Sequence, residues 1–361
     1  MDTKILSTNE HDIETAAEII KAGGLVAFPT ETVYGLGANA LDEEAVARIY
    51  SAKGRPSDNP MIVHIAAAED MEKLTEDISE DAEILMKAFW PGPMTMIVNK
   101  RPVVPDRTTG GLDTVAVRMP DSKPALSLIR KSGCPIAAPS ANISGSPSPT
   151  RAKDVIQDMN GRIEAVIEGE DCRVGIESTV IDMSGESPVI LRPGILTARE
   201  ISRVLAKPVA YDKALWQKPG GEDFKPKSPG MKYKHYAPKA EMIIVGSAGG
   251  SAGSKSGNTA ENGESHREES SAREAAIKSK ILQLKQEREE QGLKVGVIFF
   301  GGSRKQVFRK AAHDFFARLR DLDNEGVDVI LAGALDEDDQ LGFAVMNRML
   351  KSAGYNVIKE K

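Results

Sequence analysis

The sequence predicts an α/β protein made of two domains that are joined by a linker. Residues up to about 206 alternate between amphipathic helical stretches and short apolar runs of strand length. Five prolines then punctuate a polar stretch without periodicity at 207–239, and a second alternation of strands and helices begins at 240. The length of 361 residues suits one to three domains, with two as the expected number.

Helix signals in the first domain are clearest at the helix ends. Gly23-Gly24 stops a first amphipathic stretch, because glycine favours the left-handed turn that ends helices. Asp42 is a side chain typical of an N-cap, and Thr197 with Glu200 has the spacing of a capping box. The helices predicted in this domain are 11–22, Asp42 to about Ala52, 79–89 and 197–206.

Short apolar runs between these helices predict strands. They contain mostly residues that favour buried strands, and glycine, proline or polar residues bound them. Because helices and strands alternate irregularly, we expect a twisted mixed sheet. The predicted strands are LVAF (25–28), MIVHIA (61–66), MTMIV (94–98), VAV (115–117), PIAA (135–138), AVIE (165–168), STVID (178–182) and VIL (189–191).

The proline-punctuated stretch at 207–239 is predicted to be a linker. A connection of this length is usually either disordered or used as a lid. Its segment SPGMKYKHYAP (228–238) carries aromatic and cationic residues that a plain spacer does not need. We therefore divide the chain into a first domain at 1–206, a linker or lid at 207–239, and a C-terminal domain at 240–361.

The C-terminal domain has the pattern of a small Rossmann-like α/β fold. Strands and helices alternate at the spacing of parallel strand–helix–strand units. A Gly/Ser-rich insert at 246–271 interrupts the pattern, and its composition predicts disorder. The predicted elements are the strand EMIIV (241–245), a charged helix at about 272–291, the strand KVGVIFF (294–300), a helix at 304–322, the strand VDVILAG (327–333) and a helix at 341–354.

The composition argues against several classes of protein. The 47 Lys and Arg residues are outnumbered by 53 Asp and Glu, so the formal charge is −6 and any anion site must be local. Cys134 and Cys172 form no CxxC pair, which argues against a disulfide framework or zinc ribbon and fits a reducing compartment. The N-terminus lacks a signal-peptide core, and no apolar run approaches the ~20 residues of a membrane span. We expect a cytoplasmic protein without membrane contact.

Two glycine-rich stretches match phosphate-binding motifs only in part. The run at 246–256 lacks the glycine that a P-loop needs before its lysine, because Ser254 precedes Lys255. GLGANA (35–40) has the form of a dinucleotide fingerprint, but no acidic residue ends a strand at the required distance. The five histidines form no cluster and no H-E-x-x-H motif is present, so we expect no metal site made of protein side chains.

Polar loops at the ends of predicted strands are the remaining candidates for a site. In open α/β sheets such loops meet in a crevice. Each loop alone also fits a turn or a helix end, so only their combination predicts a concave cationic site. Arginine binds phosphate or carboxylate bidentately and lysine adds a point charge, so this set suits a polyanion. The residues gathered are Lys53, Arg55, Arg118, Arg192, Thr30, Thr32, Ser140, Asn142, Ser144, Ser148 and Ser178.

These loops together resemble the blocks of the threonylcarbamoyl-AMP synthase family, also called the YrdC-like family, in its long two-domain form. PTETVYGLG, KGRPSDNP, AVRMP, APSANISG, ESTV and LRPG occur in the family's order. The linker SPGMKYKHYAP and the C-terminal LGFAVMNRMLKSAG also resemble the long form, whereas the insert at 246–271 departs from it. The K-x-R and S-x-N tetrad of the family falls on Lys53, Arg55, Ser140 and Asn142.

The resemblance implies a YrdC-like catalytic domain that acts as an L-threonylcarbamoyladenylate synthase, a nucleotidyltransferase. Such an enzyme joins L-threonine, bicarbonate and ATP to L-threonylcarbamoyl-adenylate and releases pyrophosphate, with Mg²⁺ carried on the oxygens of ATP. The product would pass to the machinery that modifies the adenosine beside the anticodon of certain tRNAs. Any RNA contact of this chain itself is expected to be weak.

The resemblance also implies roles for individual residues. The implied catalytic residues are Lys53, Arg55, Ser140 and Asn142. The implied threonine-binding residues are Thr32, His64, Arg118, Ala138 through its backbone, and Ser178. The implied ATP-binding residues are Arg55, Asn59, Thr114, Ser140, Ser148, Arg192, His235 and Tyr236. His235 and Tyr236 come from the segment 228–238, which is expected to fold over the crevice as a lid and exclude water.

Two other functions fit parts of the sequence. A concave basic surface could hold RNA without catalysis, but the charge of −6 weighs against this reading. A carbamoyltransferase of hydrogenase maturation uses a related domain. Such proteins resemble longer chains with Cys-rich zinc modules, and the two cysteines here do not give that pattern.

Overall fold

The computed structural model describes residues 2–216, 226, 228, 235–246, 265–301, 304–336 and 340–359. The chain divides into two units, Met1–Tyr233 and Lys234–Lys361. The division falls within the proline-punctuated stretch, and the exact domain bounds stay a prediction.

A mixed sheet runs through the N-terminal unit. Its strands are β1 (Lys4–Leu6), β2 (Val26–Phe28), β3 (Gly35–Asn39), β4 (Ile62–His64), β5 (Met94–Asn99), β6 (Thr114–Arg118), β7 (Ile136–Ala137), β8 (Ala165–Ile167), β9 (Thr179–Asp182), β10 (Val189–Arg192) and β11 (Ala210–Tyr211). Within the described residues they lie in the order β1-β8-β2-β3-β7-β4-β6-β5-β9-β10-β11. β6 pairs parallel with β4 and antiparallel with β5, which confirms the predicted mixed sheet.

The two faces of this sheet carry separate apolar clusters. Along β2, Val26 and Phe28 belong to one cluster, while Ala27 between them belongs to the other. Because successive side chains of a strand point to opposite faces, the clusters lie on opposite sides of the sheet. Burial on both faces explains why the strands read as continuous apolar runs rather than as alternating ones.

The helix caps predicted from the sequence are confirmed. Asp42 accepts hydrogen bonds from the N–H groups of Glu44 and Ala45, and Thr197 forms a capping box with Glu200. A cap of this kind stabilises a helix by about 1 kcal/mol. The helices of this unit are α1 (Glu10–Lys21), α2 (Glu43–Lys53), α3 (Glu80–Phe89), α4 (Asp106–Thr109), α5 (Lys123–Ser132), α6 (Ala152–Met159) and α7 (Ala198–Leu205).

Helix α2 ends abruptly at the first basic residue of the candidate site. Lys53 is its last residue, and Gly54 follows with φ +63°, in the left-handed region where glycine has no steric cost. The N–H groups of Gly54 and Arg55 bond back to Ser51 O and Tyr50 O. Gly54 therefore terminates the helix, and the prolines Pro56 and Pro60 lie further along the loop.

The stretch GLGAN is a strand and not a phosphate-binding loop. It forms β3, which pairs antiparallel with β2 and with β7. A Cβ at Gly37 would lie 2.8 Å from both Phe28 and Ile136, so the glycine permits close packing inside the sheet. This pairing rules out the dinucleotide fingerprint. Strands β1 and β11 and helices α4, α5 and α6 were not predicted from the sequence.

The C-terminal unit contains a parallel four-stranded sheet in its described part. Its strands are β12 (Glu241–Val245), β13 (Val295–Ile298), β14 (Val329–Gly333) and β15 (Val357–Ile358), in the order β13-β14-β12-β15. Its helices are α8 (Ser265–Glu290), α9 (Arg304–Glu325) and α10 (Gln340–Ser352). All three strand pairs are parallel, which confirms the predicted small Rossmann-like fold.

Helix α8 corrects part of the predicted disordered insert. It begins at Ser265, inside the stretch 246–271 that composition assigned to the insert. The charged segment HREESSAR has few helix breakers, so the helix extends further towards the N-terminus than its apolar period indicated. Residues 247–264, which include Lys255 of the rejected P-loop match, lie outside the described residues.

No helix in the described part of the chain combines the length and apolarity needed to cross a bilayer.

Candidate active site

Main-chain hydrogen bonds bring the polar loops of the N-terminal unit together. The N–H of Tyr34 donates to Pro149 O at 2.9 Å, and the N–H of Val174 donates to Glu31 O at 2.8 Å. The loop after β2 is thereby fixed between the loop after β7 and the segment that leads into β9. These three polar segments are therefore in contact with one another, and loops at strand ends commonly meet in this way.

Lys53 connects the end of α2 to the S-x-N turn. Its Nζ donates to the main-chain oxygens of Ser140 and Asn142, both at 2.5 Å, and the residue is 2% exposed. Ser140 Oγ donates to Asn142 Oδ1 at 2.5 Å, while Asn142 Nδ2 donates to Ile143 O and Ser146 O. Lys53, Ser140 and Asn142 thus form one group of contacts, which we call the Lys53 cluster.

Arg55, the fourth residue of the tetrad, lies in the loop that follows Lys53. Its Nη2 donates to Pro60 O at 3.0 Å and to Asn59 O at 3.4 Å. The Tyr50 hydroxyl also donates to Asn59 O, at 3.1 Å. Asn59 is buried, and among the described residues its Oδ1 accepts no hydrogen bond. Arg55 therefore fixes the loop that carries Asn59. The buried side-chain oxygen of Asn59 can still accept a hydrogen bond from a ligand.

Arg118 ends β6 and is buried within a polar group of its own. Its Nη1 donates to Thr32 Oγ1 at 2.9 Å, and its Nε donates to Gly92 O at 3.3 Å. Its Nη2 lies 2.7 Å from Glu31 Oε1, and the two side chains are 4% and 1% exposed. In the register of β4 and β6, His64 is the residue opposite Arg118. We call Glu31, Thr32, His64 and Arg118 the Arg118 cluster.

His64 contributes a neutral ring to the Arg118 cluster. Its Nδ1 lies 3.2 Å from Ile62 O, and its ring meets the Phe28 ring edge-on at 6.0 Å. Burial, and secondly the charge of Arg118, lower the pKa of His64 to about 3. Because a proton on this ring would be both desolvated and close to a cation, the imidazole stays uncharged at neutral pH.

We expect the stability of the folded protein to decline with acidification because of His64. Between pH 6.5 and about 3 the unfolded chain binds a proton on this imidazole and the folded chain does not. The free energy of unfolding then decreases by up to ~1.4 kcal/mol per pH unit as the pH falls. His64→Gln removes this contribution, so the variant's unfolding midpoint should change less with pH. Thermal unfolding of both proteins at about pH 7, 5.5 and 4 measures it, and equal slopes would contradict the prediction.

Arg192 and Ser178 form a third buried contact. The Nε of Arg192 donates to Ser178 O and its Nη2 donates to Ser178 Oγ, both at 3.0 Å. Ser178 Oγ also shares a hydrogen bond of 2.7 Å with Thr95 Oγ1. The pairing of β9 and β10 shifts register between Ile190 and Arg192, and such irregularities re-aim side chains near functional sites.

Ser148 and Ala138 have their hydrogen-bonding capacity partly used within the protein. Ser148 Oγ donates to Glu177 Oε1 at 2.6 Å, and both residues are buried. The N–H of Ala138 donates to Ile62 O at 2.9 Å. The carbonyl is therefore the backbone group that Ala138 can offer to a ligand.

Thr114 lies apart from the Arg118 cluster although it shares a strand with Arg118. It is the first residue of β6 and Arg118 is the last, which separates them by about 13 Å. Its neighbour in the antiparallel register is Asn99 on β5. The structure therefore places Thr114 at the opposite end of β6 from Arg118.

His235 and Tyr236 belong to the C-terminal unit. The Tyr236 ring lies 5.1 Å from the Phe316 ring on α9 and 5.5 Å from the His235 ring. Tyr236 is buried and has φ +64°, a left-handed conformation that is uncommon for a residue other than glycine. The contact of both residues with a nucleotide stays a prediction.

Glu31 and Glu177 are two buried acidic residues of this region that were not among the predicted site residues. Each precedes a residue assigned to threonine, since Glu31 comes before Thr32 and Glu177 comes before Ser178. The available signal was the presence of a single acidic residue in each of the blocks PTETVYGLG and ESTV. Buried carboxylates are rare without a partner or a function, so their burial makes both residues candidates for the site.

Two family models match successive parts of this chain. The model for Sua5, YciO and YrdC proteins, described as "Telomere recombination", matches residues 18–194. The model described as "Threonylcarbamoyl-AMP synthase, C-terminal domain" matches residues 196–354. Together they cover the N-terminal loops of the candidate site and most of the C-terminal unit.

Two curated proteins and one solved structure resemble the chain over almost its whole length. Threonylcarbamoyl-AMP synthase of Pyrococcus abyssi is 48% identical over 361 residues, which cover 97% of this chain and 96% of that protein. The threonylcarbamoyl-AMP synthase of Bacillus subtilis is 42% identical, and the match covers 99% of this chain and 97% of that protein. The crystal structure of P. abyssi Sua5 complexed with L-threonine matches with a TM-score of 0.85 and 46% identity, covering 99% of both chains.

Proposed function

This chain belongs to the threonylcarbamoyl-AMP synthase family, and from that premise we propose that the Lys53 and Arg118 clusters are its active site. The enzyme joins L-threonine, bicarbonate and ATP into L-threonylcarbamoyl-adenylate with release of pyrophosphate. One observation carries the proposal. A single loop touches both clusters, because Thr32 contacts Arg118 and Gly35 forms a β-bridge with Ser140. At most ~10 Å of chain separates these two contacts, a distance that one substrate can span.

The reaction brings two anions together. The ammonium group of threonine loses a proton, and the free amine adds to bicarbonate with loss of water. An oxygen of the resulting carbamate then attacks the α-phosphorus of ATP as pyrophosphate departs. Two unit charges at 4 Å repel each other by ~4 kcal/mol at an effective dielectric constant of ~20. Fixed cations and close orientation of the reactants therefore lower this barrier more than a strong base would.

The Arg118 cluster is proposed to hold threonine. The Arg118 guanidinium would bind the substrate carboxylate, because two of its nitrogens are already anchored on Thr32 and Gly92 and the fork is held rigidly. Neutral His64, the hydroxyls of Thr32 and Ser178, and the carbonyl of Ala138 would contact the remainder of the amino acid.

The Lys53 cluster and its neighbours are proposed to hold the nucleotide. Lys53, Arg55 and Arg192 would neutralise phosphate charge, and Asn142 would orient the reacting groups. The acceptor left over on buried Asn59 supports a ligand contact at that residue. The further proposed nucleotide contacts are Thr114, Ser140, Ser148, His235 and Tyr236.

Mg²⁺ is proposed to enter with ATP. Among the described residues, no group of three or more His, Cys, Asp or Glu side chains is placed to hold a metal ion, while the site offers hydroxyl and carbonyl oxygens. These ligand types fit an ion held mainly by phosphate oxygens and water, as Mg²⁺ commonly is. The ion would supply neutralisation of phosphate charge.

The segment 228–238 is proposed to be a lid that protects the mixed anhydride of the product from water. A chain that ends at about residue 207 lacks this segment and the C-terminal unit. We expect it to yield less adenylate per pyrophosphate released than the full chain, because exposed product hydrolyses. Chromatography of the adenylate beside a pyrophosphate assay measures the ratio, and an undiminished yield would reject the lid.

The product is proposed to pass to a tRNA threonylcarbamoyl-transfer machinery in the cytoplasm. Reduced cysteines support this location, since Cys134 and Cys172 are both free thiols. The acidic balance of the chain supports at most weak contact with RNA itself.

Threonine-dependent pyrophosphate release is the experiment that tests the proposed function. Full-length protein is incubated with ATP, bicarbonate and each amino acid in turn. We expect release with threonine and its loss in Arg55→Ala, because this arginine would face the phosphates and orders the loop of Asn59. Arg162→Ala, at an exposed arginine of the same unit, is the control and should keep wild-type release. Release without amino-acid dependence, or full activity in Arg55→Ala, would contradict the proposal.

A further inference from the structure

We propose that Glu31 binds the ammonium group of the substrate amino acid, so that Glu31 and Arg118 together select a zwitterion. The inference rests on the proposed function, which places threonine on Arg118. It adds a specificity-determining residue that supplies a negative charge to the substrate amine.

Glu31 is a buried carboxylate with unused acceptor capacity. Its side chain is 1% exposed, and its Oε1 lies 2.7 Å from Arg118 Nη2. That contact is close but not aligned as a hydrogen bond, and within the described residues neither carboxylate oxygen accepts one. A carboxylate has about four lone-pair positions, and leaving them empty in a buried place is unfavourable. A ligand that donates hydrogen bonds here would remove this cost.

Arg118 offers the complementary unused donors. It has five N–H groups, of which one on Nε bonds to Gly92 O and one on Nη1 bonds to Thr32 Oγ1. Its Nη2 donates no hydrogen bond to any described residue. Arg118 and Glu31 therefore lie side by side as an ion pair that keeps further donors and acceptors for a ligand. An α-amino acid presents a carboxylate and an ammonium group one carbon apart, and so can contact both residues.

The charges of the cluster also match a zwitterion. His64, opposite Arg118 in the strand register, is uncharged because burial and Arg118 lower its pKa. The cluster thus contains one cation and one anion. A carboxylic acid without an amine would add a second buried carboxylate beside Glu31, whereas a zwitterion adds no net charge.

A purely structural role for Glu31 is the competing interpretation. In that case the carboxylate only holds Arg118 in place, and its loss weakens every ligand that uses Arg118 by the same factor. Direct contact with the ammonium predicts a different pattern. Loss of Glu31 then weakens the binding of threonine and does not weaken the binding of the same molecule without its amine.

The test is a comparison of two ligands across three proteins by calorimetry. The ligands are L-threonine and (R)-3-hydroxybutanoate, which is threonine without the amino group. The proteins are the full-length wild type, Glu31→Gln, and Glu164→Gln as the control. Glu164 forms an ion pair with Arg48 outside the cluster, so its loss removes a carboxylate of the same type without touching the proposed substrate.

We expect Glu31→Gln to reduce the preference for threonine over (R)-3-hydroxybutanoate by about 10-fold or more, the effect of one lost charge-assisted hydrogen bond. Glu164→Gln should keep the wild-type preference. Equal weakening of both ligands in Glu31→Gln, or unchanged threonine binding, would overturn the assignment of Glu31.

A second comparison covers the case in which Glu31→Gln does not fold because Arg118 is left uncompensated. Wild type itself must prefer threonine by about 10-fold or more, and Glu31→Asp, which keeps the charge on a shorter side chain, must lower that preference. Wild-type binding of both ligands within a factor of about two overturns the inference without any variant. If wild type releases pyrophosphate with threonine but shows no such preference, only the role of Glu31 is refuted. If wild type shows no threonine-dependent release of pyrophosphate, the proposed function itself is refuted.

Discussion

Lys53→Met should lower threonine-dependent pyrophosphate release by at least ~100-fold and also lower the midpoint of thermal unfolding. The ammonium of Lys53 donates to the carbonyls of Ser140 and Asn142, so it both supplies charge and closes the S-x-N turn. Methionine has a similar length but no donor, and each buried carbonyl left without a partner costs about 1–3 kcal/mol.

Two measurements separate these consequences of Lys53→Met. Pyrophosphate release at saturating substrates reports the loss of charge and orientation, and thermal unfolding reports the loss of the turn. Lys73→Met is the matched control, because the Lys73 side chain is 74% exposed and pairs only with nearby Asp70 among its ion-pair contacts in the described structure. Lys53→Met with activity near that of the control would show that the Lys53 cluster is not part of the active site.

Arg118→Lys should raise the KM for threonine by about 100-fold, although the positive charge is conserved. The guanidinium reaches Gly92 O, Thr32 Oγ1 and Glu31 Oε1 from three different nitrogens. A single ammonium cannot span these partners and also offer a planar fork to a carboxylate. Loss of two charge-assisted hydrogen bonds at about 1.5 kcal/mol each accounts for a change of this size.

The pattern of kinetic changes identifies the role of Arg118. Because the residue is assigned to threonine, the KM for ATP should change by less than about 3-fold while that for threonine rises. Arg48→Lys, at an arginine that pairs with Glu164 outside the cluster, is the control for the substitution itself. An equal rise of both KM values, or none for threonine, would refute the assignment of Arg118 to the threonine carboxylate.

Local signals in the sequence account for most of the secondary structure that was predicted correctly. The caps at Asp42 and Thr197 depend on side chains within three residues of the backbone groups that they satisfy. Elements without such signals were missed or misjudged. GLGAN has the glycine spacing of a phosphate loop, yet its glycines allow β3 to pack against Phe28 and Ile136.

The candidate site divides in the same way between local and distant information. The motif blocks are enough to predict the tetrad and the loops that are assigned to threonine. They do not reveal that Lys53 bonds to main-chain oxygens or that Glu31 lies against Arg118. The Lys53–Ser140 and Glu31–Arg118 contacts each join residues 87 positions apart, and no pattern within one block encodes its partner in another.

The sequence by itself determined the family, the two α/β folds, the helix ends and the residue types available for catalysis. These properties depend on periodicity, capping and short motifs, all of which act over a few neighbouring positions. Only the tertiary structure decided which charges are paired and which buried polar groups can still form hydrogen bonds. It also decided how close the Lys53 cluster lies to the Arg118 cluster. The reason is that the order of strands in the sheet sets which loops become neighbours, and burial then fixes the electrostatics of every group between them.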